Sequence, residues 1–98
     1  MYHIEYTRAA DEDLRYFTKR EQKIIRTGIK EQLLYQPTVI TTNRFPREDR
    51  SDKIADWELR VGDYRVYYNV QEAVKIVRIE RITEKHGQFN LFRGRKQR

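Results

Sequence analysis

Apolar and polar residues alternate at the start of the chain, with Tyr2, Ile4 and Tyr6 on one side and His3 and Glu5 on the other. A period of two predicts a strand with one buried face. The spacing then lengthens. Ala10, Leu14 and Phe17 recur at helical intervals, Thr7 stands ready to cap, and acids follow in the early turns. "TKRE" at 18–21 reads as a capping box, in which Thr18 and Glu21 each satisfy the other's backbone N–H. The second helix carries Ile25, Ile29 and Leu33 on one stripe, with Ile24 and Leu34 beside it. Pro37 ends it, because proline disfavours helix at the residue before it. Two helices with so short a link form an αα-hairpin.

Residues 38–55 lose the periodicity. Val39 to Thr42 read as a short extended piece, followed by a surface loop with Arg44, Arg47, Arg50 and Lys53 among acids and Pro46. Alternation returns at about 56–61 and 64–70, around a turn at Gly62-Asp63. A third strand is predicted from about Val74 to Ile82, and a basic tail from about residue 85 holds Arg93, Arg95, Lys96 and Arg98. The order β-αα-βββ predicts an α+β domain, with the helical hairpin on one face of a small, mainly antiparallel sheet.

Adjacent strand residues point to opposite faces. Trp57, Leu59 and Val61 therefore share one face with Tyr64, Val66, Tyr68 and Val70 of the next strand. Arg60 and Arg65 leave that face, with Tyr67 beside them. A sheet roofed on one side only leaves the other as a working surface. Two guanidiniums there offer planar, multi-donor recognition of phosphate. Each also has an acid within reach, Glu58 for Arg60 and Asp63 for Arg65, and a surface ion pair of that kind means little for function.

Length and charge narrow the class. At 98 residues the chain reads as a single domain, 1–98. Its 21 Lys and Arg against 15 Asp and Glu leave a net charge of +6, which points to a polyanionic partner, nucleic acid or an acidic protein. There is no Cys, which excludes disulfides and thiolate metal sites and fits a cytoplasmic location. No apolar run reaches the ~20 residues of a membrane span, and the N-terminus lacks a signal-peptide core.

The side chains exclude several chemistries. A lone, loop-borne Ser51 argues against a serine-based triad, and His3 and His86, at opposite ends of the chain, have no paired-His metal spacing. The four glycines form no phosphate loop. An enzyme built here uses Arg, Lys, His and Tyr, with no metal and no cofactor. RNA cleavage by its own 2′-OH suits that set. A base removes the hydroxyl proton, an acid protonates the leaving 5′-oxygen, and cations hold the extra charge on phosphorus. DNA has no such hydroxyl.

"WELRVGDYRVYYNV" followed by "VKIVRIERI" resembles the RelE/ParE superfamily of toxins from prokaryotic type II toxin–antitoxin modules. The pattern L-R-x-G-x-Y-R-x-x-Y falls on Leu59, Arg60, Gly62, Tyr64, Arg65 and Tyr68. The element order extends the likeness over nearly the whole chain, and the terminal "LFRGR" is similar to a small RelE-like subgroup. The resemblance implies a microbial-RNase-like sheet with an αα-hairpin. It implies ribosome-dependent cleavage of mRNA, inhibition of translation, and an acidic antitoxin as partner. Arg65 takes the place of the family's phosphate-stabilising arginine. Lys85 or His86 takes that of a second basic group. Arg44, Arg47, Arg50 and Lys53 of the loop, with Arg93, Arg95, Lys96 and Arg98 of the tail, are assigned to rRNA and mRNA phosphates.

Two departures change the chemistry that the resemblance implies. RelE ends its site with a C-terminal Tyr, and no Tyr follows Tyr68 here. RelE also carries two Lys where this chain has Asp56 and Glu58. Glu58 either replaces the missing base or pairs with Arg60. The same fold also serves ParE-like gyrase inhibitors and inactive, antitoxin-binding relatives, and both remain alternatives.

Overall fold

The structure is a computed structural model that describes residues 1–48, 51–86 and 89–91, with His86 and 89–91 described by backbone only. β1 (His3–Tyr6) leads into α1 (Arg8–Arg15) and α2 (Lys19–Leu33). Both helices begin as their sequences dictate. The Thr7 side chain accepts from the Ala10 N–H, and Thr18 and Glu21 close a reciprocal capping box. β2 (Arg44–Pro46), β3 (Trp57–Val61) and β4 (Tyr64–Gln71) follow, then a 3₁₀ turn (Glu72–Val74), β5 (Ile76–His86) and β6 (Phe89–Leu91). The described strands form one sheet in the order β1-β5-β4-β3-β2. β1 lies parallel to β5 and the remaining ladders are antiparallel.

The helices cover one face. Ala10, Leu14 and Phe17 from the α1 side, with Ile25, Ile29 and Leu33 of α2, meet Leu59, Val66, Tyr68, Val77, Ile79 and Ile82 of the sheet. Each such large apolar side chain contributes roughly 1.5–3 kcal/mol by leaving water. α2 passes so close to β3 that a Cβ on Gly28 would lie 2.7 Å from Val61 Cγ1. Tyr64 ties the hairpin to the helical layer. It meets Phe17 edge-on and its hydroxyl donates to Glu21 Oε2 at 3.1 Å.

The outer edge of β5 shows how the two layers lock. β1 pairs with it as far as Ile79, and β6 resumes only at Glu84. Side chains fill the interval. Thr7 Oγ1 donates to the Glu80 carbonyl, and Asp13 Oδ2 accepts from the Ile82 N–H at 2.9 Å. Asp13, 1 % exposed, also binds the Arg81 guanidinium through both oxygens, at 2.8 and 3.0 Å. Unpaired backbone groups in such a gap would each cost free energy, so α1 acts as a surrogate strand.

Three expectations need correction. The extended piece at Val39–Thr42 reduces to a single bridge from Thr41 to Arg44, and the strand is Arg44–Pro46. The third strand begins at Ile76 rather than Val74, because Glu72–Val74 turn and Lys75 takes φ 55. It runs on through His86, so residues 85 and 86 belong to the sheet and not to a tail. A β-bulge is the reason the pattern misled. Tyr68 faces Ile79 and Tyr67 faces Arg81, which leaves Glu80 as the extra residue and reverses the alternation beyond it.

Candidate nucleic-acid interface

Strand alternation builds the helix-free face in rows. Arg60, Arg65 and Thr83 form one row across β3, β4 and β5, and Phe45, Glu58, Tyr67 and Arg81 form the next. Gly62, at φ 58, supplies the left-handed backbone that joins β3 to β4 in a two-residue turn. That tight turn places Arg60 directly opposite Arg65, a like-charge pair that costs free energy unless neutralised. Glu58 neutralises it. Its Oε2 lies 3.3 Å from Arg60 Nε and 3.8 Å from Arg65 Nε. The pairing of Glu58 with Arg60 is thus observed, and the same carboxylate also lies beside Arg65.

Arg65 is only 7 % exposed. Its Nη1 donates to the Gly62 carbonyl at 2.7 Å and to Tyr64 O at 3.0 Å, which pins the guanidinium over the turn. Arg60 is more open and rests over the Phe45 ring at 4.9 Å. Tyr67 is buried under Arg47, whose guanidinium carbon lies 4.8 Å from the ring centre. Burial raises the Tyr67 pKa above its ordinary value, against the opposing effect of the Thr83 side chain. Its hydroxyl is therefore a proton-bearing donor at neutral pH. Lys85, one alternation beyond Thr83, is exposed and falls on the same side of β5.

The other predicted contacts separate. Arg44 is a buried clamp rather than a surface cation. It is 5 % exposed, and its guanidinium donates to the Gln32 carbonyl in the last turn of α2 and to the Val39 carbonyl in the loop beyond it. The orphan carbonyls of a helix end explain why a buried arginine is tolerated there. Arg47 is half spent on structure, binding Asp52 and donating to Ala55 O at 2.9 Å. The bond to Arg47 holds Asp52 below the usual carboxylate range and raises Arg47 in return. Lys53 is exposed, at φ 56. Arg50, Arg93, Arg95, Lys96 and Arg98 lie outside the described residues, as does the side chain of His86. Among the described residues no group of His, Asp and Glu is arranged to hold a metal ion.

A second surface escaped the sequence reading. A groove of about 900 Å³ runs between β1 and α2, with Tyr2, Ile4, Tyr6 and Leu34 in its lining. Lys19, Lys23, Arg26 and Lys30 border it. Their spacing of four, three and four residues is a basic stripe on one helix face, a signal open to inspection. Arg26 lies over the Tyr6 ring at 4.9 Å.

No protein-family model matches the sequence, and no curated protein does. Solved structures do match. The toxin–antitoxin complex RelBE2 from Mycobacterium tuberculosis contains a chain that is 18 % identical, with a TM-score of 0.62, covering 86 % of this chain and 98 % of the other. The archaeal RelE–RelB complex from Pyrococcus horikoshii contains one that is 17 % identical, with a TM-score of 0.56, covering 90 % of this chain and 98 % of the other. At such identities the likeness is one of architecture, and it establishes that this chain has the RelE-like α+β fold.

Proposed function

We propose that this chain is the toxin of a type II toxin–antitoxin module and that it cleaves mRNA on the ribosome without a metal or cofactor. The observation that carries the reading is the Arg60–Glu58–Arg65 cluster on the helix-free face. A substrate phosphate competes with Glu58 for the two guanidiniums. When it takes them over, the carboxylate is released to accept the 2′-OH proton. The hydroxyl oxygen then attacks phosphorus, the bond to the 5′-oxygen breaks, and a 2′,3′-cyclic phosphate and a 5′-OH end result. Arg65 and Arg60 stabilise the charge that builds on the phosphoryl oxygens. Tyr67 donates a further hydrogen bond from the same face. Lys85 or His86, at the end of β5, serves the leaving oxygen.

The partner is an acidic antitoxin segment; one structural neighbour was solved as a toxin–antitoxin complex and the other as a RelE–RelB complex. The β1–α2 groove suits such a segment, with an apolar floor and a cationic border. Loop and tail cations, Arg47, Lys53 and those beyond residue 92, would bind ribosomal and messenger phosphates and make association salt-dependent.

The test is Arg65→Ala, made in a chain whose folding is checked by its denaturation midpoint. Growth arrest and the mapped cuts in translated messages should both vanish. A folded variant as toxic as the parent refutes the site. Intact transcripts with damaged DNA would instead indicate a gyrase-type target. Tolerance of the parent chain without any antitoxin would indicate an inactive relative.

A further inference from the structure

Beyond the cationic cluster, the helix-free face carries a second recess. It has a volume of about 480 Å³, and Lys53, Asp56, Asn69, Arg78 and Glu80 are among its lining residues. That volume lies within the ~300–1,000 Å³ of small-ligand sites. Asn69 follows Arg65 and Tyr67 on the same side of β4, so the recess continues the surface that holds the proposed reaction. Four residues of strand separate Arg65 from Asn69, ~13 Å at ~3.3 Å per residue. A nucleotide near the cut, but not at it, reaches that far.

Two features give the recess a fixed hydrogen-bonding face. The first is the bulge. Glu80 has no cross-strand partner on β4, and its side chain crosses to Asn69 instead. Bulges of this kind re-aim a side chain beside a working site. The second is the amide. Asn69 Oδ1 accepts the Asp56 backbone N–H at 2.9 Å, which leaves Nδ2 turned to Glu80 Oε2 at 3.0 Å. A backbone donor thus sets the amide's orientation, and the amide sets the carboxylate's. Asn69 occupies one lone pair of Oε2, and Oε1 remains to accept. Arg78, the cross-strand neighbour of Asn69, adds a guanidinium at the same recess.

We propose that this recess is a base-recognition subsite that takes guanine from single-stranded RNA. Guanine alone among the four bases presents two adjacent donors on its pairing edge, N1–H and N2–H, spaced to meet a carboxylate. Glu80 accepts from them, and Arg78 donates to the guanine O6, a contact that arginine makes well. Unpaired bases in RNA are read on this edge. Lys53 at the rim binds the adjoining phosphate. The inference deepens the nuclease reading and rests on it for the substrate class.

The experiment titrates the isotope-labelled full chain with guanosine 5′-monophosphate and, separately, with the adenosine, cytidine and uridine monophosphates. Nuclear magnetic resonance follows the Asp56 backbone amide and the Asn69 side-chain NH₂. Guanosine monophosphate should shift both at least tenfold more readily than the others do, and Glu80→Gln should remove that preference. Equal responses to all four nucleotides, or none, overturn the subsite. Cleavage mapping separates the two proposals. Cuts without a guanine at constant offset overturn the subsite and leave the nuclease standing. Selective guanosine binding by a chain that cuts no message supports the subsite and overturns the nuclease.

Discussion

Tyr67 and Tyr68 are neighbours in sequence, and both are buried, at 3 % and 0 % exposure. They live in different chemistries. Tyr68 points into the helix-covered core, stacks near Trp57 at 6.0 Å and donates its hydroxyl to the Pro37 carbonyl at 2.6 Å. Tyr67 points to the bare side, under Arg47 and between Glu58 and Arg81 in its row. Burial raises the pKa of both. One residue of strand is thus enough to divide packing from chemistry. The lesson is that low exposure in this molecule does not by itself mark the apolar core. Arg65, Thr83 and Tyr67 are buried on the opposite, helix-free side, where Arg65 is held by the Gly62 and Tyr64 carbonyls and Tyr67 is covered by Arg47.

That division is open to direct attack. The largest effect should come from the bond between layers. Asp13→Ala removes the carboxylate that binds the Arg81 guanidinium and the Ile82 N–H, and should destabilise the chain by about 3–5 kcal/mol in chemical denaturation. A loss below ~1 kcal/mol would show that α1 is not fastened to β5 in this way.

The paired tyrosines come next. Tyr68→Phe leaves the Pro37 carbonyl without its donor and should cost ~1–3 kcal/mol of stability while sparing RNA cleavage. Tyr67→Phe should cost less stability and slow cleavage about tenfold, the worth of one ~1.4 kcal/mol contact in a transition state. The reverse pattern, read from melting and primer extension together, would dissolve the contrast between the faces.

The smallest effect is a pH dependence on the bare side. Asp52 has a folded-state pKa below its ordinary 3.8, through Arg47. Its contribution is present above that value and is lost as pH falls through the folded-state pKa. The Asp52 side chain is 42 % exposed, so solvent screens the pair and Asp52→Asn should cost under ~1 kcal/mol near neutrality. The gap between variant and parent should close as the pH drops below 3.8. A gap that stays constant into acid would mean that the ion pair contributes nothing and that some other change accounts for the loss.

Much of this architecture follows from local rules. Both caps, the stripe Ile25–Ile29–Leu33, the turn at Gly62 and the opposite facing of Arg65 and Val66 are legible in the chain, because period and cap chemistry act over a few residues. The placing of Arg60 beside Arg65 is legible for the same reason, since a two-residue turn leaves little choice of register. Other features needed distant partners. Arg44 reads as a surface cation until Gln32 and Val39 close around it. Asp13 reads as an acid of the first helix until β5 leaves a gap for it. The Glu80 bulge leaves only a faint trace in the alternation, and with it go the reach of β5 to His86 and the recess at Asn69.

Sequence alone therefore determined which side chains share a face wherever strand and helix are regular, because a strand's alternation and a helix's pitch are properties of the nearby backbone; the bulge at Glu80, where that alternation reverses, was left to the tertiary structure. Tertiary structure decided which of those side chains are spent on the fold and which remain for a ligand. A charged group's role depends on what packs within a few ångströms of it, and residues far apart in the chain supply those neighbours.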